Sequence, residues 1–236
     1  MDKNILIVDD DHEIVNLLEI YLKNEGYKIF KAYNGVEALK IIKNTNIQLV
    51  ILDIMMPELN GIEVCKQIRT TLNIPILMLS AKNEDTDKIT GLITGADDYM
   101  VKPFNPLEVT VRVKTLLRRA YYFNENMMNS QDEDIIRIDS LVIKKSTHSV
   151  LVDDININLT STEFEILHLL ASHPGRVFGA EEIFERVWKE KYYQSNNTVM
   201  VHISKLRDKL EKAMGGEKII HTIWGVGYKI EKKHYL

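Results

Sequence analysis

Five short runs in the first half of the chain are apolar nearly from end to end: Ile5–Val8, Lys28–Ala32 around Ile29 and Phe30, Leu49–Leu52, Ile76–Leu79 and Tyr99–Val101. Between them, apolar residues recur at helical spacing. One segment carries Ile14, Leu17, Leu18, Tyr21 and Leu22, a second Val36, Leu39, Ile41 and Ile42, and a third Ile62, Val64, Cys65 and Ile68. A strand that alternates can leave one face in water, whereas a strand apolar throughout has to be covered on both faces. Such strands alternating with amphipathic helices predict an α/β domain, a doubly wound parallel sheet of five strands, over residues 1–120.

Periodicity is lost at residues 121–134 (YYFNENMMNSQDED), where Asn, Asp, Glu and Ser dominate; this stretch reads as a linker. The pattern then changes to period two, with Ile136, Ile138, Leu141, Ile143, Val150, Val152, Ile155, Ile157 and Leu159 alternating with polar residues, which predicts short antiparallel strands. Thr160 with Glu163 three residues on forms a capping-box signature ahead of Phe164, Ile166, Leu167, Leu169 and Leu170. Two more helices are predicted, at about Ala180–Trp188 and Asn196–Lys212, and Ile219–Ile230 reads as a β-hairpin with glycines at its turn. Residues 135–236 are therefore a second, α+β domain.

Length supports the same division, since 236 residues exceed the usual size of one domain. Cys65 is the only cysteine, so no disulfide forms within the chain, and a reducing compartment is the simple expectation. The apolar run near the N-terminus is too short for a secretion signal, and no stretch reaches the roughly 20 apolar residues of a membrane span. A cytoplasmic protein without membrane insertion is expected. The formal net charge of -4 gives no global sign of a nucleic-acid binder, so any basic surface has to be local.

In a parallel open sheet the ligand site lies beyond the carboxyl ends of the strands. Here the first strand is followed by Asp9 and Asp10, the third by Asp53, the fourth by Ser80 and the fifth by Lys102. Acidic residues after strands also serve as helix caps, but three carboxylates in one cleft repel each other unless a hard cation neutralises them, and Mg²⁺ is the natural occupant. A carboxylate, a divalent ion, a hydroxyl and an ammonium are the parts needed to move a phosphoryl group onto Asp53.

These residues carry a resemblance. ILIVDDD, LVILDIMMPELNG, ILMLSA and GADDYMVKPF resemble the motifs of receiver domains, which implies a flavodoxin-like fold over residues 4–119. The resemblance implies Asp53 as phosphoacceptor, Asp10 as direct Mg²⁺ ligand, Asp9 supporting it and the Met55 backbone carbonyl as a further ligand. It also implies that Ser80 and Lys102 contact the phosphoryl oxygens and that Tyr99 is an aromatic switch coupled to Ser80. A phosphoryl group adds about one and a half to two negative charges, enough to bias a nearby bistable element. That element would be the face formed by the last strand and the helices on either side of it, carrying Lys88, Ile89, Leu92, Asp97, Asp98, Glu108, Arg112 and Arg119. In the OmpR/PhoB-type subfamily this face makes a phosphorylation-dependent homodimer with ion pairs between subunits. Lys88 with Glu108, Asp98 with Arg112 and Asp97 with Arg119 stand at matching positions, while Thr110 stands where relatives often have an apolar residue.

From Tyr193 onward there are eight basic and four acidic residues, so the C-terminal segment is locally positive. In SNNTVMVHISKLRDKL, Val199, Ile203, Leu206 and Leu210 can pack inward while Asn197, Thr198, His202, Ser204, Lys205 and Arg207 stay largely outside, as a helix in a major groove requires. LTSTEFEILHLL, NNTVMVHISKLRDKL and TIWGVGYKIE resemble the winged helix-turn-helix output domain of the same subfamily. The resemblance implies base or phosphate contacts from Asn197, His202, Ser204 and Lys205, and phosphate contacts from Thr198, Arg207 and Thr222. In that family the third helix enters the major groove and the hairpin reaches the adjacent backbone or minor groove, which counts Trp224 of the wing among the DNA-binding residues, although many relatives have arginine there. The implied partners are a sensor histidine kinase, RNA polymerase and double-stranded DNA at direct-repeat or pseudo-symmetric promoter sites. YLKNEGY, DKITGLITGADDYMVKPF, SNNTVMVHISKLR and TIWGVGYKIEK are especially similar to the response regulators of vancomycin-resistance operons. Two other functions stay open on the residues alone: a metal-dependent phosphatase with an accessory domain, and a DNA-binding regulator independent of phosphorylation. The adjacent Asp9-Asp10 pair fits the phosphatase less well, because such hydrolases commonly separate two loop aspartates by one residue.

Overall fold

Strands form where the apolar runs lie. In the computed structural model, residues 3–81, 94–121, 135–189 and 198–231 are described, and the chain divides into two units, Met1–Ala120 and Tyr121–Leu236. The first unit contains β1 (Asn4–Val8), β2 (Lys28–Ala32), β3 (Leu49–Asp53), β4 (Ile76–Ala81) and β5 (Asp98–Lys102), in the order β2-β1-β3-β4-β5 with every pairing parallel. Ile5 to Val8 and Leu49 to Leu52 are fully buried, as the unbroken apolar runs require. The strand order reverses direction at β1 and β3, so a crevice opens beyond their carboxyl ends.

Helices α1 (His12–Asn24), α2 (Gly35–Asn44), α3 (Gly61–Arg69) and α4 (Pro106–Tyr121) cover this sheet. Asp11, Asn34 and Asn60 cap the first three, their side chains accepting backbone N–H groups that would otherwise be orphaned at a helix start. The buried stripe of α1 is Val15, Leu18 and Leu22, not the broader set read from spacing, and Leu17 and Ile20 are exposed. A helix of mixed aliphatic residues offers more than one apolar arc, and the sheet selects one of them.

The second unit opens with a four-stranded antiparallel sheet of β6 (Ile135–Ile138), β7 (Leu141–Lys144), β8 (Ser149–Val152) and β9 (Ile155–Asn156). Then come α5 (Ser161–Ala171), α6 (Ala180–Trp188) and α7 (Thr198–Ala213), and the hairpin of β10 (Ile220–Ile223) and β11 (Gly227–Ile230). Phe164, Leu167, Leu170, Phe178, Ile183, Trp188, Val199, Ile203, Leu206 and Leu210 join Leu141, Ile143 and Val150 in one core. The Phe178 and Tyr228 backbones exchange two hydrogen bonds of 2.9 Å, anchoring the hairpin. A Cβ on Gly227 would lie 2.0 Å from the Phe178 carbonyl oxygen, so only glycine permits that approach.

The capping box is present. The Thr160 hydroxyl accepts the Glu163 N–H, and the Glu163 carboxylate accepts the Thr160 N–H at 2.8 Å. The same carboxylate, 1% exposed as a residue, also meets Lys209 of α7 at 2.6 Å, so one side chain starts α5 and ties it to α7. Glu163→Ala removes both, and we expect a loss of about 2 kcal/mol, a cap worth ~1 kcal/mol plus a partly desolvated ion pair. Both tryptophans lie in this unit, so urea unfolding followed by tryptophan emission measures it directly. An unchanged midpoint would show that the link contributes nothing.

Candidate functional site

Of the five side chains read from the strand ends, Asp9, Asp10, Asp53 and Lys102 meet in one cluster, and Ser80 lies near the end of β4. Asp9 follows β1, Asp53 ends β3, Ser80 lies in β4 and Lys102 ends β5, where Ala81 and Lys102 are register partners. The Lys102 ammonium stands 2.7 Å from Asp9 Oδ2 and 2.7 Å from Asp53 Oδ1, so from β5 it reaches across β4 to bridge the neighbouring ends of β1 and β3. Asp9 and Asp53 are buried, whereas Asp10 is exposed at the mouth. The other Asp9 oxygen accepts the Asp11 N–H at 3.0 Å, so Asp9 is held from two sides.

Carboxylate oxygens of Asp9, Asp10 and Asp53 lie within 4.8 Å of one another. Three carboxylates less one ammonium leave two negative charges in the cradle, the complement of a divalent cation with a preference for oxygen. The donor set therefore fits Mg²⁺. Met55 lies two residues beyond Asp53 with its side chain exposed, in a loop anchored by the Ile54 N–H on the Leu79 carbonyl at 2.9 Å and the Gly61 N–H on the Ile54 carbonyl at 3.0 Å.

Burial pushes the Asp53 carboxyl up to about 6 from an ordinary 3.8, with Lys102 pulling it down and Asp9 and Asp10 adding to the rise. Burial disfavours the Lys102 ammonium as well, but its hydrogen bonds to Asp53 and Asp9 outweigh that, and its pKa is raised. Near neutral pH the site holds an ionised, poorly solvated Asp53 oxygen beside a fixed cation. An oxygen in that condition is a nucleophile, and the ammonium is placed to balance charge on whatever it attacks.

Ser80 is fully buried, its hydroxyl donating to the Ala81 carbonyl at 3.1 Å. Tyr99 is 8% exposed and pairs in register with Met78 of β4. One structural residue escapes a reading of the sequence. A Cβ on Gly61 would lie 2.0 Å from the Asp53 carbonyl oxygen and 3.0 Å from the Ile54 Cα, so glycine lets the start of α3 close against the backbone of the reactive residue. Its only signal in the sequence is a glycine following the cap Asn60, which many helix starts share.

Comparison with known proteins follows this division. Residues 5–114 match the response regulator receiver domain and residues 154–230 match the family described as transcriptional regulatory protein, C terminal. The chain is 47% identical over 233 residues to the regulatory protein VanR of Enterococcus faecium, covering 98% of this chain and 100% of VanR. The chain belongs to the response regulators of the OmpR/PhoB type. The response regulator is also 42% identical over 234 residues to the transcriptional regulatory protein SrrA of Staphylococcus aureus, with 99% of this chain and 97% of SrrA covered. Among solved structures, the Thermotoga maritima OmpR/PhoB homologue DrrB is 29% identical with a TM-score of 0.51, over 98% of this chain and 100% of DrrB. It is thus a two-component response regulator with a DNA-binding domain, of a family of transcription factors and not of conventional enzymes.

On the face around β5, the described charged residues read as pairs between subunits make contacts within the chain. Lys88, Ile89 and Leu92 lie outside the described residues. Asp97 is fully buried, meets Arg69 at 2.8 Å and accepts the Ile76 N–H at 3.0 Å, so it braces α3 against the sheet within its own chain. Arg119 is buried too. Arg112 reaches Asp98 at 2.8 Å and Glu108 at 2.9 Å in the same response regulator. Matching charges at two positions cannot tell a pair within a chain from one between chains. Val101, Leu107 and Val111 are exposed apolar residues on β5 and α4 that the charge pattern conceals.

On α7 the predicted core residues Val199, Ile203, Leu206 and Leu210 are buried, but so are Thr198 and His202, which the sequence pattern places largely outside. Residues four apart on a helix differ by only about 40°, so His202 follows Leu206 inward and Thr198 follows His202. The His202 ring lies 5.5 Å from that of Trp188. Asn197 falls outside the described residues; Ser204 is exposed and Lys205 is partly so. Arg207 donates to Thr222 Oγ1 at 2.8 Å and to the Ile220 carbonyl at 3.0 Å, tying α7 to β10. Trp224, at the hairpin tip, is 90% exposed. Among the described residues no helix is long and apolar enough to cross a membrane.

Proposed function

We propose that this response regulator is a cytoplasmic, phosphorylation-controlled transcription factor that accepts a phosphoryl group on Asp53 from a sensor histidine kinase. The observation that carries the reading is the Lys102 bridge between Asp9 and Asp53 beside a third carboxylate, Asp10. In the transfer, an Asp53 carboxylate oxygen forms a bond to phosphorus as the bond to the donor's imidazole nitrogen breaks, and that nitrogen leaves with the bonding pair. Lys102 stays positioned to offset charge on the phosphoryl oxygens, and Ser80, one β4 residue beyond the Asp53 register partner Leu79, is the nearby hydroxyl donor. Mg²⁺ held by Asp9, Asp10, Asp53 and the Met55 carbonyl would supply further charge neutralisation. Phosphate-affinity electrophoresis after acetyl phosphate and Mg²⁺ tests this: wild type is expected to shift and Asp53→Asn not to. A shift in both moves the acceptor elsewhere.

Phosphorylation would then favour a homodimer through the β5 and α4 face, with Tyr99 and Ser80 as the coupled switch and RNA polymerase as the eventual partner at promoters. For the ion pairs within the chain to serve between chains, Arg112 would have to exchange partners. On DNA, the exposed edge of α7 around Ser204 and Lys205 would enter the major groove. The likeness to VanR supports target promoters of a glycopeptide-resistance operon. Lys205→Ala should weaken binding across all sequences and lower the slope of log affinity against log salt by about one, the release of one counterion. A wild-type slope in that variant would remove Lys205 from the phosphate contacts.

A further inference from the structure

β9 is an edge of the four-stranded sheet in the second unit, paired with β8 on one side and with no strand on the other among the described residues. Asp153 and Asp154, at φ 48 and 64, form the tight turn that folds β9 back on β8. Residues of an antiparallel pair alternate between bonding across and facing away. Ile157 donates to the Val150 carbonyl at 2.8 Å, so its neighbour Asn156 turns its N–H and carbonyl to the open edge. Along this edge runs a cleft of about 380 Å³, walled by Val152, Ile155 and Ile157 on the strand side and by Lys209, Lys212 and Ala213 on the last turns of α7. Ile155 is 68% exposed. Open edges are commonly blunted by charge, proline or a covering segment, because unpaired backbone groups invite another chain. Here the edge strand itself bears an exposed isoleucine.

We propose that the cleft between β9 and the end of α7 is a docking site for an extended, acidic segment of another protein, which adds a strand to β9. In such an addition main-chain hydrogen bonds supply affinity and alternate side chains supply specificity. The Asn156 N–H and carbonyl would pair with the guest backbone, and its apolar side chains would cover Ile155 and Ile157. Its carboxylates belong against α7. Lys212 is exposed and pairs with no carboxylate among the described residues, and Lys209, although held by Glu163, keeps 35% of its side chain in water. Asp153, on the strand side of the cleft, repels a carboxylate placed there. A small amphiphile could use the aliphatic wall and the ammonium groups, but only a peptide also satisfies the backbone of an edge strand. DNA fits the cleft poorly. Lys209 lies five residues from Ser204, about 140° round the helix, so the cleft is on a flank of α7 away from the edge proposed for the major groove. Arg207, which ties α7 to the hairpin, is likewise about 160° from Lys209.

The full-length protein is titrated against an end-blocked, fluorescein-labelled peptide of sequence ETVTVTE, followed by anisotropy, with the charge-reversed KTVTVTK and an ETVTVTE methylated on alternate backbone nitrogens as comparisons. Saturable binding of ETVTVTE is expected, about ten-fold or more tighter than that of KTVTVTK, and loss of binding on methylation. Hydrogen exchange of the Asn156 amide should slow in the complex. Asn156→Pro removes the outward donor without touching the bonds to β8 and should abolish binding, while urea unfolding followed by tryptophan emission checks that the unit still folds. Lys212→Glu, at an exposed position, should weaken ETVTVTE by about ten-fold and strengthen KTVTVTK. Absence of saturable binding, or equal binding of the two peptides, would overturn the proposal. Binding that survives both methylation and Asn156→Pro would overturn strand addition. Displacement of the peptide by a duplex from the region upstream of the coding sequence would assign the cleft to the DNA surface and overturn it as well. Self-association of the protein that Asn156→Pro abolishes would assign the edge to a second copy of the chain, with the same consequence.

Discussion

Asp53→Asn is expected to make the first unit more stable at pH 7 in the absence of divalent metal, and to leave the protein unresponsive to any phosphodonor. Burial, with Asp9 and Asp10, holds the Asp53 carboxyl at about 6 against an ordinary 3.8 even with Lys102 in contact. A carboxyl whose pKa is raised by folding favours the folded state while protonated. That contribution is complete below about 3.8 and is lost as the pH rises through about 6, so at pH 7 ionised Asp53 is a net cost. A rise of that size corresponds to roughly 2–3 kcal/mol, which the neutral amide recovers. Urea unfolding in EDTA, followed by far-ultraviolet circular dichroism, should show the advantage of Asp53→Asn at pH 7 and its disappearance near pH 4. Adding Mg²⁺ should close most of this gap by stabilising wild type, by about 2.7 kcal/mol at a hundred times the dissociation constant, and the variant less. An Asn variant less stable than wild type at pH 7 without metal would mean that the Lys102 ion pair outweighs the burial of charge.

Gly61→Ala should be nearly as damaging to phosphorylation without touching a reactive group. The added methyl would fall 2.0 Å from the Asp53 carbonyl oxygen, a backbone atom that cannot swing aside as a long side chain could. Either the start of α3 moves away or the end of β3 does, and the second alternative carries Asp53 out of line with Lys102 and Ser80. A displacement of about 1 Å in a reacting group costs on the order of a hundred-fold in rate. We therefore expect phosphorylation by acetyl phosphate to slow by that order, with a loss of stability of about 3 kcal/mol, typical of strain at a crowded backbone. Time courses of phosphate-affinity mobility in parallel with urea unfolding separate the two effects. A variant with wild-type kinetics would show that the α3 start has no part in placing Asp53.

How much of this structure is legible in the sequence follows from the reach of each signal. The parallel sheet is legible because strands buried on both faces must be apolar at every position, and Leu49–Leu52 leave no other reading. The capping box at Thr160 and Glu163 is legible because it is local chemistry over four residues. The gathering of Asp9, Asp53 and Lys102 is legible because parallel strands deliver their carboxyl ends to one edge. Fates set by packing are not. Thr198 and His202 are polar residues that α7 turns inward, and the spacing of Val199 and Ile203 alone does not fix how wide the buried arc is. Asp97 and Arg119 look like surface charges in sequence, yet Asp97 is the internal partner of Arg69, a contact 28 residues away that no periodicity predicts. The role of Gly61 is a matter of what a missing Cβ would strike, and that is a property of three dimensions only.

Control of the DNA-binding unit by the carboxylate site is tested most directly by a DNA-binding titration against the chain's own upstream region, with and without acetyl phosphate and Mg²⁺, on wild type and Asp53→Asn. The phosphodonor is expected to raise the affinity of wild type and to leave that of Asp53→Asn where it was. Equal affinity in all four conditions would contradict such control, because the carboxylate site would then have no hold on the DNA-binding unit.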